Sequence, residues 1–281
     1  MSPVTLGLWL AGFSALTTAL AHASIKSGKD KLAVQAWVRL FDLALAAPLA
    51  FWIGLPPGYL WPWLIAAAAT HAIYQALLSL SYSVSDFSVA YPVARGIAPI
   101  LTAGAGVALL GDRLSGWLMA AIAVVSIGIV LLAAGGRLSR TGLLAALATG
   151  TLTTAYSVID AHGMRLSPDL LTFIVWFFVL DAVAMPLLFL ARRRTEAGAA
   201  FRADWRPGLR AALMTPVSFV PALYAFALAP VGAVSAIREA SVLVGVGVAG
   251  RLLGETVDAR RLIGAALITA GIIGIVAASG H

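Results

Sequence analysis

Arg95 and Arg238 are the residues of this chain whose types and positions point most directly to binding. Arg95 stands in AYPVARGIAPILTAGAGVALLG and Arg238 in AIREASVL, each about seven residues into an apolar run. A charged side chain at the centre of a membrane span costs roughly 2.5–3.5 kcal/mol on insertion scales. Guanidinium is a planar fork of donors that suits carboxylates, phosphates and phosphonates. Two such forks could clamp one anion or hand it from one to the other. The same arginines could instead tie down broken backbone, or pair with an internal acid such as Glu239.

Other groups belong to the same candidate constellation. Glu239 follows Arg238 directly, so it points roughly 100° away on a helix. It could receive a substrate ammonium or a coupling proton, or neutralise either arginine. Ser241 lies two residues further on. Tyr82, Tyr156 and Tyr224 are the tyrosines chosen to line a cavity and orient a ligand. His22 and His71 lie inside apolar runs and could carry protons, or simply pack. Asp160 shares a helix face with Tyr156 and could bind an amine, move a proton or mark the membrane edge. Pro92 and Pro99 flank Arg95 and predict a bent or broken helix of the kind that lines transporter sites. Arg39 and Asp42, three residues apart, read as a structural pair. The glycines Gly104, Gly106, Gly245, Gly247 and Gly250 predict close helix contact.

These residues must be positioned by membrane helices. Of the 281 residues, 61% are hydrophobic and 11% charged, too few polar groups to build a water-facing surface. Ten apolar spans are predicted, at 4–25, 33–54, 60–83, 88–110, 116–134, 141–161, 169–191, 207–228, 231–253 and 260–278. The fold class is therefore all-α and membrane-embedded. Connections are short, apart from a basic stretch after span seven. The ALAHA run (19–23) resembles a cleavage site, but the region before it has no Lys or Arg and the apolar stretch is long. It reads as a first transmembrane helix that is not cleaved.

The chain also repeats itself. At one constant offset Leu110-Gly111-Asp112 falls on Leu253-Gly254-Glu255, Gly104 on Gly247, Gly128 on Gly271 and Arg95 on Arg238. The first spans share Leu-Thr-Thr-Ala, from Leu16 and from Leu152, and the second spans share Trp37/Asp42 and Trp176/Asp181. Five helices per unit, residues 1–136 and 137–281, make the second copy enter the membrane from the opposite side. An inverted repeat of this kind is a recurrent plan of secondary transporters. It places each arginine about 10 Å deep from opposite faces, with about 10 Å between their levels.

Charge sets the expected orientation. Of the 19 Lys and Arg, 14 gather in connections one, five, seven and nine, from Lys26, Lys29 and Lys31 to Arg260 and Arg261; connections four and six hold Arg113 and Arg165, and Arg39, Arg95 and Arg238 lie within spans. By the positive-inside rule both termini face outside. The formal charge of +7 is thus a topology signal, not a sign of nucleic-acid binding. There is no cysteine, and the sequence has neither H-E-x-x-H nor GxxxxGK[ST]. No metal, cofactor or ATP is expected.

Several motifs resemble the EamA-type branch of the drug/metabolite transporter superfamily. Leu109-Leu110-Gly111-Asp112 and Leu252-Leu253-Gly254-Glu255 are similar to its fourth-helix turns. SIGIVLL and TAGIIGI are similar to its fifth-helix glycine runs, and YPVARGIAPI, AIREASVL, AHASIK and YSVIDAHG resemble one bacterial subgroup. The resemblance implies ion- or exchange-coupled transport without ATP, in a bacterial inner membrane. It also implies, for many members, cytoplasmic termini, which the charge count here reverses.

The expected activity is that of a secondary transporter, an exporter or exchanger, for a small polar metabolite with an anionic group, such as an amino acid or organophosphonate. The partners expected are that solute, the bilayer, and protons or a counter-substrate. One chain encloses a path, and a dimer is compatible. The alternatives are a proton antiporter for drugs or cationic metabolites and, more remotely, an intramembrane serine hydrolase built on Ser14 of GFSA.

Overall fold

A computed structural model describes residues 1–81, 87–133, 140–243 and 259–278. Every regular element in these residues is helical: two short 3-10 turns, Gly58–Leu60 and Arg194–Glu196, and twelve α-helices. They are α1 (Pro3–Ser27), α2 (Lys31–Ile53), α3 (Trp61–Ser81), α4 (Phe87–Leu110), α5 (Gly116–Ala133), α6 (Arg140–Leu166), α7 (Leu170–Asp181), α8 (Ala184–Arg193), α9 (Ala197–Ala203), α10 (Trp205–Leu228), α11 (Val231–Glu239) and α12 (Ala259–Ala278). Among the described residues, four stretches are both long and apolar enough to cross a membrane: Pro3–Ile25, Lys31–Ile53, Leu170–Ala203 and Trp205–Leu228. Shorter apolar helices are Arg95–Leu110, Gly116–Leu132 and Leu262–Ala278.

Local chemistry sets the boundaries. Ser2 caps α1, with Pro3 at its first position, by accepting from the Thr5 amide at 3.1 Å. Asp30 caps α2 and Asp169 caps α7, accepting from Leu32 N at 3.0 Å and Thr172 N at 2.8 Å. Gly54 (φ +83°) follows α2 and Gly111 (φ +69°) follows α4, in backbone that L side chains rarely adopt. Large apolar side chains such as Trp9, Phe51, Trp52 and Leu109 face outward. That surface suits lipid as solvent, while the backbone polar groups are satisfied within helices.

Two expectations about helix continuity change. α4 runs unbroken through Pro92 and Pro99, so it is not the broken helix those prolines suggest. The interruptions fall elsewhere. Span seven divides after Asp181 into α7 and α8, and α11 stops at Glu239 before helical backbone resumes at Ser241. The basic connection after span seven contains the short helix α9.

The principal packing pairs are α1 with α10, α5 with α12, α4 with α6, α4 with α5, α2 with α10, α4 with α11, α2 with α7, α3 with α6, α2 with α8, α3 with α7, α1 with α11 and α6 with α10. At the α5–α12 crossing, a Cβ on Gly128 would lie 2.8 Å from the Gly264 carbonyl oxygen, so these backbones meet directly. At α4–α11, Gly106 meets Val231 and Gly232 meets Ala103. Gly104, expected at such a contact, has nothing within 4 Å of its Cβ position. Gly245, Gly247, Gly250 and the Leu252–Glu255 turn lie outside the described residues.

Polar clasps close the two ends of the bundle. At one, Asp204 accepts from the Lys29 and Asp30 amides at 2.8 and 2.7 Å, and Arg193 pairs with Asp30 at 2.6 Å. At the other, Asp112 pairs with Arg165 at 2.7 Å and accepts from the Val231 amide at 2.7 Å. Arg165 also donates to the Phe226 and Ala229 carbonyls. Asp112, the acid of the Leu-Leu-Gly-Asp turn, thus binds α4 to the start of α11 and the end of α6.

Candidate functional site

The α4–α11 contact brings the two arginines into one neighbourhood. Arg95 pairs with Glu239 through Nε, and its Nη2 lies 3.4 Å from Ser241 Oγ. The pair is largely buried, with side chains 13% and 5% exposed. Arg238 is placed differently. Its Nε donates to Ser14 Oγ at 3.2 Å, and its guanidinium carbon lies 5.7 Å from the ring centres of both Phe219 and Phe226. Among the described residues no carboxylate forms an ion pair with it. Arg238 also lies in the last turn of α11, where the carbonyl end of the helix favours a cation. Ring faces do the same when the site is dry.

His22 on α1 is half-buried and within electrostatic range of both guanidiniums. Arg95, Arg238, Glu239, Ser241 and His22 therefore form one group, contributed by α1, α4, α11 and the residues just after it. Pro99 lies on α4 and is buried; Pro92 lies on α4 too, with its side chain outside the described residues. Tyr82 also lies outside them. Tyr224 packs against the main apolar core.

A second polar group lies beside the first. His71 Nε2 is 2.9 Å from Asp160 Oδ2, and Asp160 is fully buried rather than at a membrane edge. Tyr156 lies 4.4 Å from the His71 ring, centre to centre, with Phe177 and Phe219 at 5.0 and 5.1 Å. Phe219 thus touches both His71 and Arg238. Asp160 in turn lies within electrostatic range of Arg238.

A third group was only partly foreseen from the sequence. Arg39 Nη1 contacts Asp42 at 2.8 Å, as expected, but also Asp181 at 2.5 Å. Gln75 Nε2 adds a weak bond to Asp181 at 3.3 Å. The shared Trp-x4-Asp pattern had singled out both aspartates, without showing that they meet at one arginine. Ser14 is the residue on which the remote hydrolase alternative was built. Its hydroxyl receives a hydrogen bond from arginine, a group that cannot serve as a general base, so its surroundings do not support hydrolysis.

A cavity of about 410 Å³ lies apart from the arginines, lined by Trp63, Ala105, Leu109, Thr154, Val158, His162 and their apolar neighbours. Its walls suit an apolar guest better than a charged solute.

Residues 140–277 match the EamA-like transporter family. The second half of the chain belongs to that family. EamA-like proteins are membrane transporters of the drug/metabolite transporter superfamily, not enzymes, and this EamA-like chain is accordingly a multi-pass membrane protein. No curated protein matches it. A solved structure titled "Crystal structure of protein" is similar in fold, with a TM-score of 0.76 over 100% of this chain and 99% of that one, at 17% identity.

Proposed function

We propose that this EamA-like protein is a secondary active transporter, an exporter or exchanger, of a small metabolite bearing an anionic group and an amine, such as an amino acid or aminophosphonate. The observation that carries the reading is Arg238, a half-buried guanidinium faced by a hydroxyl and two rings. An incoming carboxylate or phosphonate would supply the bidentate partner that this fork lacks among the described residues. Glu239, now held by Arg95, would take the ammonium as the anion draws on Arg95. A purely anionic solute would leave Glu239 without that role.

The helix pairings support two halves, 1–136 and 137–281, as units that rock about this site. Exchanging each of the first five spans for its counterpart in the second converts α1–α10 into α6–α3, α2–α10 into α7–α3, and α4–α6 into α11–α1, all of them observed. Pairs α2–α7, α4–α11 and α5–α12 convert into themselves. The charge pattern supports a bacterial inner-membrane location, with both termini outside and the Asp204 clasp on the cytoplasmic side.

A proton antiporter for cations is the second reading, favoured by the aromatic surround of His71–Asp160. Flux into proteoliposomes, measured against a panel of amino acids, aminoalkylphosphonates, phosphate esters and quaternary amines, separates the two. Arg238→Ala and Arg95→Ala should each cut flux of the anionic solute at least tenfold. Wild-type flux in both variants would remove the arginine site. Transport confined to quaternary amines would favour the antiporter.

A further inference from the structure

The Arg39–Asp42–Asp181 group lies apart from the proposed solute site and has an unbalanced composition. Asp42 is eleven residues from the start of α2, which places it ~16 Å along the helix, near the middle of a hydrocarbon core ~30 Å thick. Asp42 and Asp181 are 2% and 1% exposed, and Arg39 is 7% exposed. Two carboxylates share one guanidinium nitrogen, so their near oxygens are no farther apart than two hydrogen bonds laid end to end. Fully ionised, the group carries one negative charge too many, which is expensive in a membrane interior.

The hydrogen bonds show the same imbalance. Asp42 Oδ1 is a buried acceptor with no donor among the described residues, and Gln75 Oε1 is another. Arg39 Nε is a buried donor with no acceptor. Other titratable groups do not correct the charge. On α3 and α6, His71 and Asp160 hold each other, and Asp160 adds a negative field at Asp181's side of the cluster. α1 carries His22. α8, α9 and α10 bring Arg192, Arg193, Arg202, Arg206 and Arg210, which lie toward the Asp204 end of the bundle. Among the described residues none of these pairs with Asp42 or Asp181.

We propose that Arg39, Asp42 and Asp181 form a proton-binding site in the middle of the membrane, distinct from the arginine pair that would hold the solute. A hydronium gives its proton to a lone pair of Asp42 Oδ1, an O–H bond forms, and water leaves. The group becomes neutral, and an acceptor without a donor becomes a donor. Arg39 then answers to Asp181 alone. Asp181 is the last residue of α7, at the break before α8. A change of charge there acts on a helix junction, a suitable place to couple proton entry to motion. Coupling rests on the transporter reading; proton binding does not.

Infrared difference spectra of the purified whole protein on acidification test the site without any solute. One protonated-carboxyl C=O band should appear. It should be lost in Asp42→Asn or Asp181→Asn and kept in Asp160→Asn. Asp42→Glu, which keeps the carboxyl, should shift the band rather than remove it, and covers the case in which an Asn variant does not fold. Absence of the band in the wild type overturns the proposal. So does a band that survives both Asn changes, or one that disappears with Asp160→Asn. These outcomes are independent of the flux measurements, so failure of either reading is distinguishable.

Discussion

Arg95 on α4 touches a carboxylate, whereas Arg238 on α11 touches a hydroxyl and two aromatic rings. The two occupy matching places at the constant offset of the repeat, so the difference must come from their neighbours. At that offset Glu239 falls on Gly96. A Cβ on Gly96 would lie 2.6 Å from Val130 Cγ2, because α4 closes there on α5. One acid therefore serves two arginines. It stands next to Arg238 in sequence, but its direction on the helix carries it across to Arg95. On the proposed two-half repeat, one asymmetric carboxylate yields one guanidinium whose charge is stored and one whose charge faces neutral groups.

The largest effect should come from removing the stored charge's partner. Arg95→Ala leaves Glu239 buried and uncompensated, and breaking a buried pair this way costs about 3–5 kcal/mol. Arg238→Ala removes a hydrogen bond and two ring contacts, so about 1–3 kcal/mol is expected. Denaturant unfolding in a lipid-like detergent orders the two. Equal losses would mean that Arg238 has a counter-ion as firm as Glu239. The double variant Arg95→Ala/Glu239→Ala should recover roughly 0.5–3 kcal/mol relative to Arg95→Ala. No recovery would mean that the carboxylate is stable without its arginine.

The contact that holds the two helices together comes next. Gly232→Ala would place a Cβ 2.5 Å from Ala103 Cα, on backbone that cannot yield cheaply. It should force α4 and α11 apart, loosen the Arg95–Glu239 pair, and cost about 1–3 kcal/mol by overpacking. Gly104→Ala, in the same α4, meets open space and should be neutral or stabilising by up to about 1 kcal/mol. Matching melting temperatures for the two would show that the crossing is loose.

Much of this frame was legible before any coordinates. Apolar runs placed the helices within a few residues, and the repeat paired Arg95 with Arg238. What stayed hidden depends on direction and distance between helices. Prolines at 92 and 99 signalled a bend or a break in α4, yet a helix can run through proline when its neighbours support it, and the interruptions came after Asp181 and Glu239 instead. Glycine composition alone could not tell Gly106, pressed against Val231, from Gly104, which faces open space. Arg39 and Asp42 were readable as a local i, i+3 pair. That Asp181 completes the group follows only from the packing of α2 on α7, which no spacing along the chain reveals.

The smallest effect should arise at the end of the bundle, where α4 meets the start of α11. Asp112→Asn would remove the ion pair with Arg165, whose side chain is 26% exposed. It would keep an acceptor for the Val231 amide. Arg165 retains the Phe226 and Ala229 carbonyls, so partial exposure and surviving bonds limit the loss to about 1 kcal/mol. Asp112→Ala also strips the acceptor from the start of α11, and capping losses of this type are worth about 1 kcal/mol more. If Asp112 fixes where α11 begins, it also sets where Arg238 and Glu239 face, nearly two turns along. Asp112→Ala should therefore lower flux more than Asp112→Asn does, while both leave most of the fold intact. Equal flux in the two variants would mean that the ion pair, rather than the amide contact, governs α11, and that the unequal settings of Arg95 and Arg238 do not depend on how that helix starts.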